Sequence, residues 1–333
     1  MTAVRHDVLG IGNAIVDVIA KAGDDFLVAH GMNKGGMALI DEARAQTIYT
    51  AMGPSAQSSG GSAANTMVGV ASLGGRAAFI GKVKDDELGR AFAGDIRAAG
   101  VIFDTKPASA GASTARCYIM VTPDGERTMN TYLGAAQDLH PSDIDEAAIS
   151  AAAIVYLEGY LWDPPHAKEA FIKAAGIAHK AGRRVALTLS DSFCVDRYRP
   201  EFLDLIRNGT VDIVFANESE LRSLYQTADF DTAIKALRAD AKLAVITRSE
   251  KGCVVIARDV TEAVPAAKVD KVVDVTGAGD LFAAGFLVGH SRGKDYRTAA
   301  QLGALAAAEV IQHLGARPAV SLKALADKSG LAV

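Results

Sequence analysis

Short apolar, β-rich runs alternate with helical stretches along most of this chain, and that alternation is its strongest constraint. Asp7–Gly12, Ala77–Val83, Ile154–Glu158, Arg184–Leu189, Val211–Ala216 and Leu243–Thr247 read as buried strands. Between them lie helical patterns over Ser62–Leu73, Asp86–Ala99, His166–Ala181, Pro200–Asn208, Glu218–Tyr225 and Ala233–Arg238, with a long alanine-rich one at Tyr296–Leu314. This order specifies an α/β chain built on a mainly parallel sheet. One segment breaks the alternation. Thr114–Val121 and Arg127–Tyr132 read as a hairpin, joined by the turn sequence Thr122-Pro-Asp-Gly-Glu126. Phe26–Ile40 can supply a short helix and another strand outside the main sheet. Together these pieces make a small sheet capable of covering a site. The expectation is one domain over 1–333, with a lid built from about residues 14–41 and 104–134. Late in the chain, Cys253–Ala257 and Glu262–Val264 read as a second hairpin, and Val269–Val273 as one more strand.

That last run leads into Asp274-Val-Thr-Gly-Ala-Gly-Asp280 and then an apolar stretch from Leu281 to Val288. The spacing predicts a glycine corner opening a buried helix. Such a corner directs free backbone N–H groups at one spot, where the helix dipole adds positive charge. Gly277, Ala278 and Gly279 thereby make an anion hole. Asp280 stands at its lip. A carboxylate repels a phosphate there unless it has a task, and accepting the proton of an attacking hydroxyl is such a task. The plainer reading is an Asp that caps its own helix.

Composition excludes several alternatives. A net charge of −4 gives no basic field for nucleic acid or an anionic membrane. No apolar run approaches a membrane span, and the first residues carry no signal pattern. Cys117, Cys194 and Cys253 are the three cysteines, scattered without metal-ligand spacing. They read as thiols of a reducing, cytoplasmic compartment. Gly10-Ile-Gly12 starts a dinucleotide fingerprint, but Ile15 stands where the third glycine belongs. There is neither a Gly-x4-Gly-Lys-Ser/Thr loop nor a His-Glu-x-x-His zinc sequence.

Ligands of open α/β sheets sit at the carboxyl ends of the strands. Asn13 and Asp17, Gly60 and Gly61, Asn217 and Glu220, and Asp280 all follow expected strands, so they converge on one edge. Asn217 and Glu220 share a helix face and suit a hydrated Mg2+, or else form a capping box.

In combination these segments resemble the ribokinase-like kinases, the phosphofructokinase-B family of sugar and nucleoside kinases. Asp274–Gly285 is similar to the family's C-terminal signature. Gly60–Asn65, Gly74-Gly75 and Gly81–Gly89 are similar to its N-terminal one, and Asn217-Glu-Ser-Glu220 resembles its Asn-x-x-Glu element. Gly12-Asn13 with Asp17, Gly125–Met129 with Leu133–Ala136, Gly159-Tyr160-Leu161, Leu189-Ser190 with Phe193, and Val211–Ile213 lean toward the adenosine kinase branch. The resemblance implies a three-layer sandwich with a small β-sheet lid. It also implies ATP and Mg2+ as cofactors, and leaves a place for a monovalent cation such as K+. The acceptor would be the 5′-hydroxyl of a purine nucleoside, the alternatives being a sugar kinase of the ribose or fructose type and, behind it, a non-catalytic nucleoside sensor, and the protein a monomer or homodimer.

Residue roles follow from the resemblance. Asp280 would be the base, with Gly277–Gly279 as the anion hole. Asn13, Asp17, Gly61 and Asn65 would bind the acceptor, Arg127 would close from the lid, and Tyr160 or Leu161 would wall a flat base. Asn217, Thr247, Arg248, Gly252, Asp274, Thr276, Gly277 and Gly279 would line the nucleotide, and Asn217 and Glu220 would hold the metal through water. One departure stands out: Ser249 follows Thr247-Arg248 where the family usually has glycine.

Overall fold

The computed structural model describes residues 3–333. In chain order the strands are β1 (His6–Ile11), β2 (Ile15–Lys21), β3 (Met37–Leu39), β4 (Ser55–Gly60), β5 (Ala77–Ile80), β6 (Val101–Ile102), β7 (Ala115–Val121), β8 (Arg127–Tyr132), β9 (Ala152–Glu158), β10 (Arg184–Thr188), β11 (Ile213–Asn217), β12 (Leu243–Thr247), β13 (Cys253–Ala257) and β14 (Val260–Val264). Nine of them form one sheet in the order β14-β13-β12-β11-β10-β9-β1-β5-β6. Every pair from β12 to β6 is parallel, and only β12–β13 and β13–β14 are antiparallel. A parallel sheet needs cover on both faces. Val8 of β1 accordingly packs into one core and its neighbours Leu9 and Ile11 into the other. Helices Ser62–Ser72, Ala278–Ser291 and Tyr296–Val310 cover the first face; Pro165–Lys180, Ser192–Arg207 and Glu218–Tyr225 cover the second.

On the first face small residues let helices touch backbone to backbone. A Cβ at Gly285 would meet the Leu302 carbonyl oxygen at 2.4 Å, and one at Gly303 would meet the Phe282 oxygen at 2.6 Å. Gly69 lies equally close to Ala284, with 2.7 Å from its ideal Cβ to the alanine methyl. Helix 278–291 is thus wedged between two neighbours.

The remaining five strands form a second sheet, β3-β8-β7-β2-β4. The hairpin β7–β8 turns at Gly125, whose φ of +87° suits glycine. β4 pairs antiparallel with β2 from Ile15↔Gly60 to Ala20↔Ser55. Its sequence, Ser-Ala-Gln-Ser-Ser-Gly, carries no β-forming pattern, so the small sheet extends to residues 55–60, beyond the expected bounds.

Two further expectations are corrected. Val269–Val273 is not a strand: residues 265–275 are irregular. β14 is an edge strand and, among the described residues, nothing pairs beyond it, so Val272, Val273 and Val275 stay exposed. The segment is instead tied to the end of helix 296–310, Val273 N–H donating to the Ile311 oxygen at 2.8 Å. The helix expected at Pro200–Asn208 begins eight residues earlier, at Ser192, and kinks at Tyr198 (φ −117°, ψ 19°). Pro200 has no N–H and crowds the preceding turn, which the kink relieves. Among the described residues no helix is long and apolar enough to cross a membrane.

Candidate active site

Gly277 takes φ +78°, ψ 0° and turns the chain into helix 278–291. A side chain there would strike Ala316, whose Cα is 2.8 Å from an ideal Cβ. Ala278 N–H donates to the Val275 oxygen at 3.2 Å. The next N–H groups, of Gly279 and Asp280, belong to a first turn that has no intrahelical acceptor to offer them. An ideal Cβ at Gly279 meets nothing within 4 Å, so the space above this turn is open.

Asp280, in that first turn, accepts hydrogen bonds from Ser62 Oγ at 2.6 Å and Asn65 Nδ2 at 3.1 Å. Both donors lie at the start of helix 62–72. Burial pushes the Asp280 carboxyl up to about 6, while Ser62, Asn65 and the charge of Arg317 oppose the rise. Asp17 is also raised to about 6, first by burial, with Arg317 and Arg127 pulling down and Asp280 adding to the rise. It lies inside β2, not after it, and Gly60 of β4 packs on its carboxylate, with 2.5 Å from an ideal Cβ to Oδ2. Gly61 takes φ +97°, and a Cβ there would meet the Asn13 carbonyl oxygen at 2.2 Å. Only glycine fits this corner.

Glu158 ends β9. Asn13 Nδ2 donates to its Oε1 at 2.7 Å and Ala63 N–H to its Oε2 at 2.8 Å. Burial raises it to about 7. Asn217 and Glu220 form the capping box: Glu220 N–H donates to Asn217 Oδ1 at 2.9 Å and Asn217 N–H to Glu220 Oε2 at 3.1 Å. Burial, with the charge of Asp191 added, raises Glu220 to about 7. A buried carboxylate on a cavity wall with no cation partner is a site a hydrated Mg2+ fits. Among the described residues no cluster of three acidic, His or Cys side chains is placed to hold a metal directly.

These groups share one cavity of about 920 Å³. Asn13, Asp17, Gly61, Asn65, Tyr160, Asn217, Glu220, Thr247 and the run Thr276–Asp280 all line it. Five expected residues are not on its wall. Leu161 is buried in the second core, because the tight turn 159–162 directs Tyr160 outward and Leu161 inward; the wall assignment for Leu161 is corrected accordingly. Arg127 forms an ion pair with Asp274, which also accepts from Thr276 and Gly315 N–H. Arg248 is held by Glu218 at 2.9 Å and lies 3.9 Å over the Phe230 ring. Gly252, at φ +83°, packs on the Val264 carbonyl oxygen. Ser249 adopts φ +50°, the left-handed region that glycine fills without strain.

The sequence reading missed several wall residues. The inner face of the small sheet contributes Met37, Leu39, Ile119 and Met129, and Phe193 stands among the opposite elements, 78% exposed. Ser62 and Glu158 each touch a functional group, yet one follows a glycine pair and the other merely ends an apolar run. A lone acid closing a buried strand was the available signal for Glu158.

Residues 46–323 match the family described as pfkB family carbohydrate kinase. Fructokinase-1 of Oryza sativa subsp. japonica is 34% identical over 239 residues, 68% of this chain and 72% of that protein. Among solved structures, an adenosine kinase from Sinorhizobium meliloti is 55% identical with a TM-score of 0.91, covering 98% of this chain and 99% of that one. A probable sugar kinase protein from Rhizobium etli CFN 42 is 53% identical with a TM-score of 0.92, covering 99% of this chain and 100% of that one.

Proposed function

This chain belongs to the pfkB family of carbohydrate kinases, phosphotransferases with an alcohol group as acceptor, and from that premise we propose that it phosphorylates the 5′-hydroxyl of a purine nucleoside. The observation that carries the nucleoside is the cavity's apolar lining. Met37, Leu39 and Met129 of the small sheet face a wall that includes Tyr160 and the exposed ring of Phe193. A flat base gains from such surfaces, whereas a free sugar has no apolar face of that size.

The chemistry follows from the residues. Asp17 and Asn65 engage ribose hydroxyls. Asp280, oriented by Ser62 and Asn65, accepts the proton of the attacking hydroxyl. The first turn of helix 278–291 stabilises negative charge developing above Gly279. Asn217, Glu220, Thr247 and Gly277–Gly279 would hold Mg-ATP, which when bound would supply the phosphoryl group, the Mg2+ offsetting the phosphate charge. The small sheet acts as the lid, excluding water. Arg127 of β8 latches it by pairing with Asp274, just ahead of the helix.

The test is kcat/KM for adenosine, guanosine, inosine, cytidine, ribose and fructose under one Mg-ATP condition. A purine nucleoside is expected to lead, and Phe193→Ala to raise its KM about two- to tenfold. The likeness to a fructokinase favours a second reading, a sugar kinase. Fructose or ribose giving the highest value would establish that reading instead.

A further inference from the structure

Arg317 lies in the loop after helix 296–310 and reaches back beneath the site. Its Nη2 donates to the Ser59 carbonyl oxygen at 2.5 Å and to Ser59 Oγ at 2.9 Å. Ser59 is buried, and on its other side its N–H and hydroxyl donate to Asp95 Oδ2 at 2.7 and 2.5 Å. Ser59 begins the corner 59–62. In that corner Gly60 packs on the Asp17 carboxylate and Ser62 donates to Asp280. The residue before Arg317, Ala316, lies against Gly277. Arg317 is therefore anchored on both sides of the two site carboxylates. Its Nε is buried and has no hydrogen-bond partner among the described residues. A guanidinium has five donors, and Ser59 engages a single nitrogen.

We propose that Arg317 is a positioning residue for phosphoryl transfer: it fixes the corner 59–62 and keeps Asp17 and Asp280 ionised together in one desolvated cavity. The proposal rests on the reading of Asp280 as the base. Two carboxylates sharing a site resist double ionisation. The groups facing them are Glu158 and Tyr156 on β9, Tyr160 in the turn after it, Cys117 on β7, Arg127 on β8 toward Asp17, and Arg317. Of these, Arg317 is the cation that acts on both carboxylates. Burial lowers its own pKa only to about 10, so it stays charged at neutral pH.

The experiment is the pH profile of kcat/KM for Arg317→Gln and Arg317→Lys, with the acceptor the substrate panel selects. Gln keeps a donor for Ser59 and loses the charge; Lys keeps the charge and loses the planar fork. Arg317→Gln is expected to move the acid limb up by about one pH unit, a loss of about fivefold at pH about 6 that approaches about tenfold at lower pH and vanishes toward pH about 8. Arg317→Lys is expected to lower kcat throughout and leave the limb in place. A limb unmoved in Arg317→Gln, or moved as far in Arg317→Lys, overturns the proposal; the Lys variant alone decides if the Gln variant does not fold. Asp280→Asn, measured in parallel, separates the two readings. Wild-type turnover there removes the base itself, whereas loss of turnover with an unmoved Gln limb removes only the role of Arg317.

Discussion

The two ends of the main sheet treat buried carboxylates in opposite ways. At the amino ends of the strands stand Asp7 of β1 and Asp212, just before β11. Burial alone would raise both. Arg76 and Arg292 surround Asp7, with Nη2 atoms at 2.6 and 3.0 Å, and bring it below its ordinary value. Lys242, the Val185 N–H and His179 do the same for Asp212. At the carboxyl ends the same burial wins, and Asp280, Glu158 and Glu220 rise to about 6, 7 and 7. Their hydrogen-bond partners are neutral: Ser62, Asn65, Asn13, Asn217 and backbone N–H groups. Carboxylates that only hold the fold are saturated by cations. Those at the site are oriented by neutral donors and left able to take a proton or a metal.

The sign of each contribution to stability follows. Asp7 and Asp212 stabilise the fold above the ordinary carboxylate pKa, and that contribution is lost as pH falls through their lowered values. The site carboxylates favour the fold fully below about pH 4, and lose that contribution as pH rises through about 6 to 7.

Asp280→Asn tests the contrast most severely. It is expected to cost about 10² to 10⁴ in kcat while leaving stability at pH 7 equal or higher, since a charge unfavourably buried is removed. Turnover near wild type, or a clear drop in unfolding midpoint, would break the comparison at its reactive end. Asp7→Asn is the opposite case. It should cost about 2–3 kcal/mol in urea unfolding, the worth of hydrogen bonds to a charged group, with kcat/KM of the folded protein unchanged. An unaltered midpoint would show the arginines to be ornamental. The smallest effect is expected for Ser62→Ala, which removes one neutral donor from Asp280. The acid limb of kcat/KM should rise by about one pH unit or less, and a limb that falls would contradict the orientation assigned to Ser62.

Much of the reactive end was legible because glycine and acid patterns carry chemistry. Gly61, Asn65, Asn217, Glu220 and Gly277–Asp280 all reach the cavity. The failures have physical causes. β4 is held by pairing with β2 and not by its polar sequence. Val269–Val273 has the composition of a strand, but it is tied to the end of helix 296–310 and does not pair with the edge strand β14. Arg127 and Asp274 were read separately, although their ion pair spans 147 positions. Arg317 is bound to a residue 258 positions away, with no local pattern to announce it.

The wedging of helix 278–291 bears on how this enzyme can change. Leu302 and Gly303 on one side and Gly69 on the other leave it no slack to slide or turn, so its first turn is the stationary jaw of the machine. Adaptation to a new acceptor is then expected at the compliant jaw, among Met37, Leu39, Met129 and Phe193, where a side chain can change without shifting the base. A methyl group at Gly285 would instead act as a lever, displacing Asp280 from five residues away along the same rigid rod. Libraries selected for altered acceptor use should therefore recover the small sheet repeatedly and Gly285 or Gly303 not at all; enrichment at either glycine would show that the rod bends.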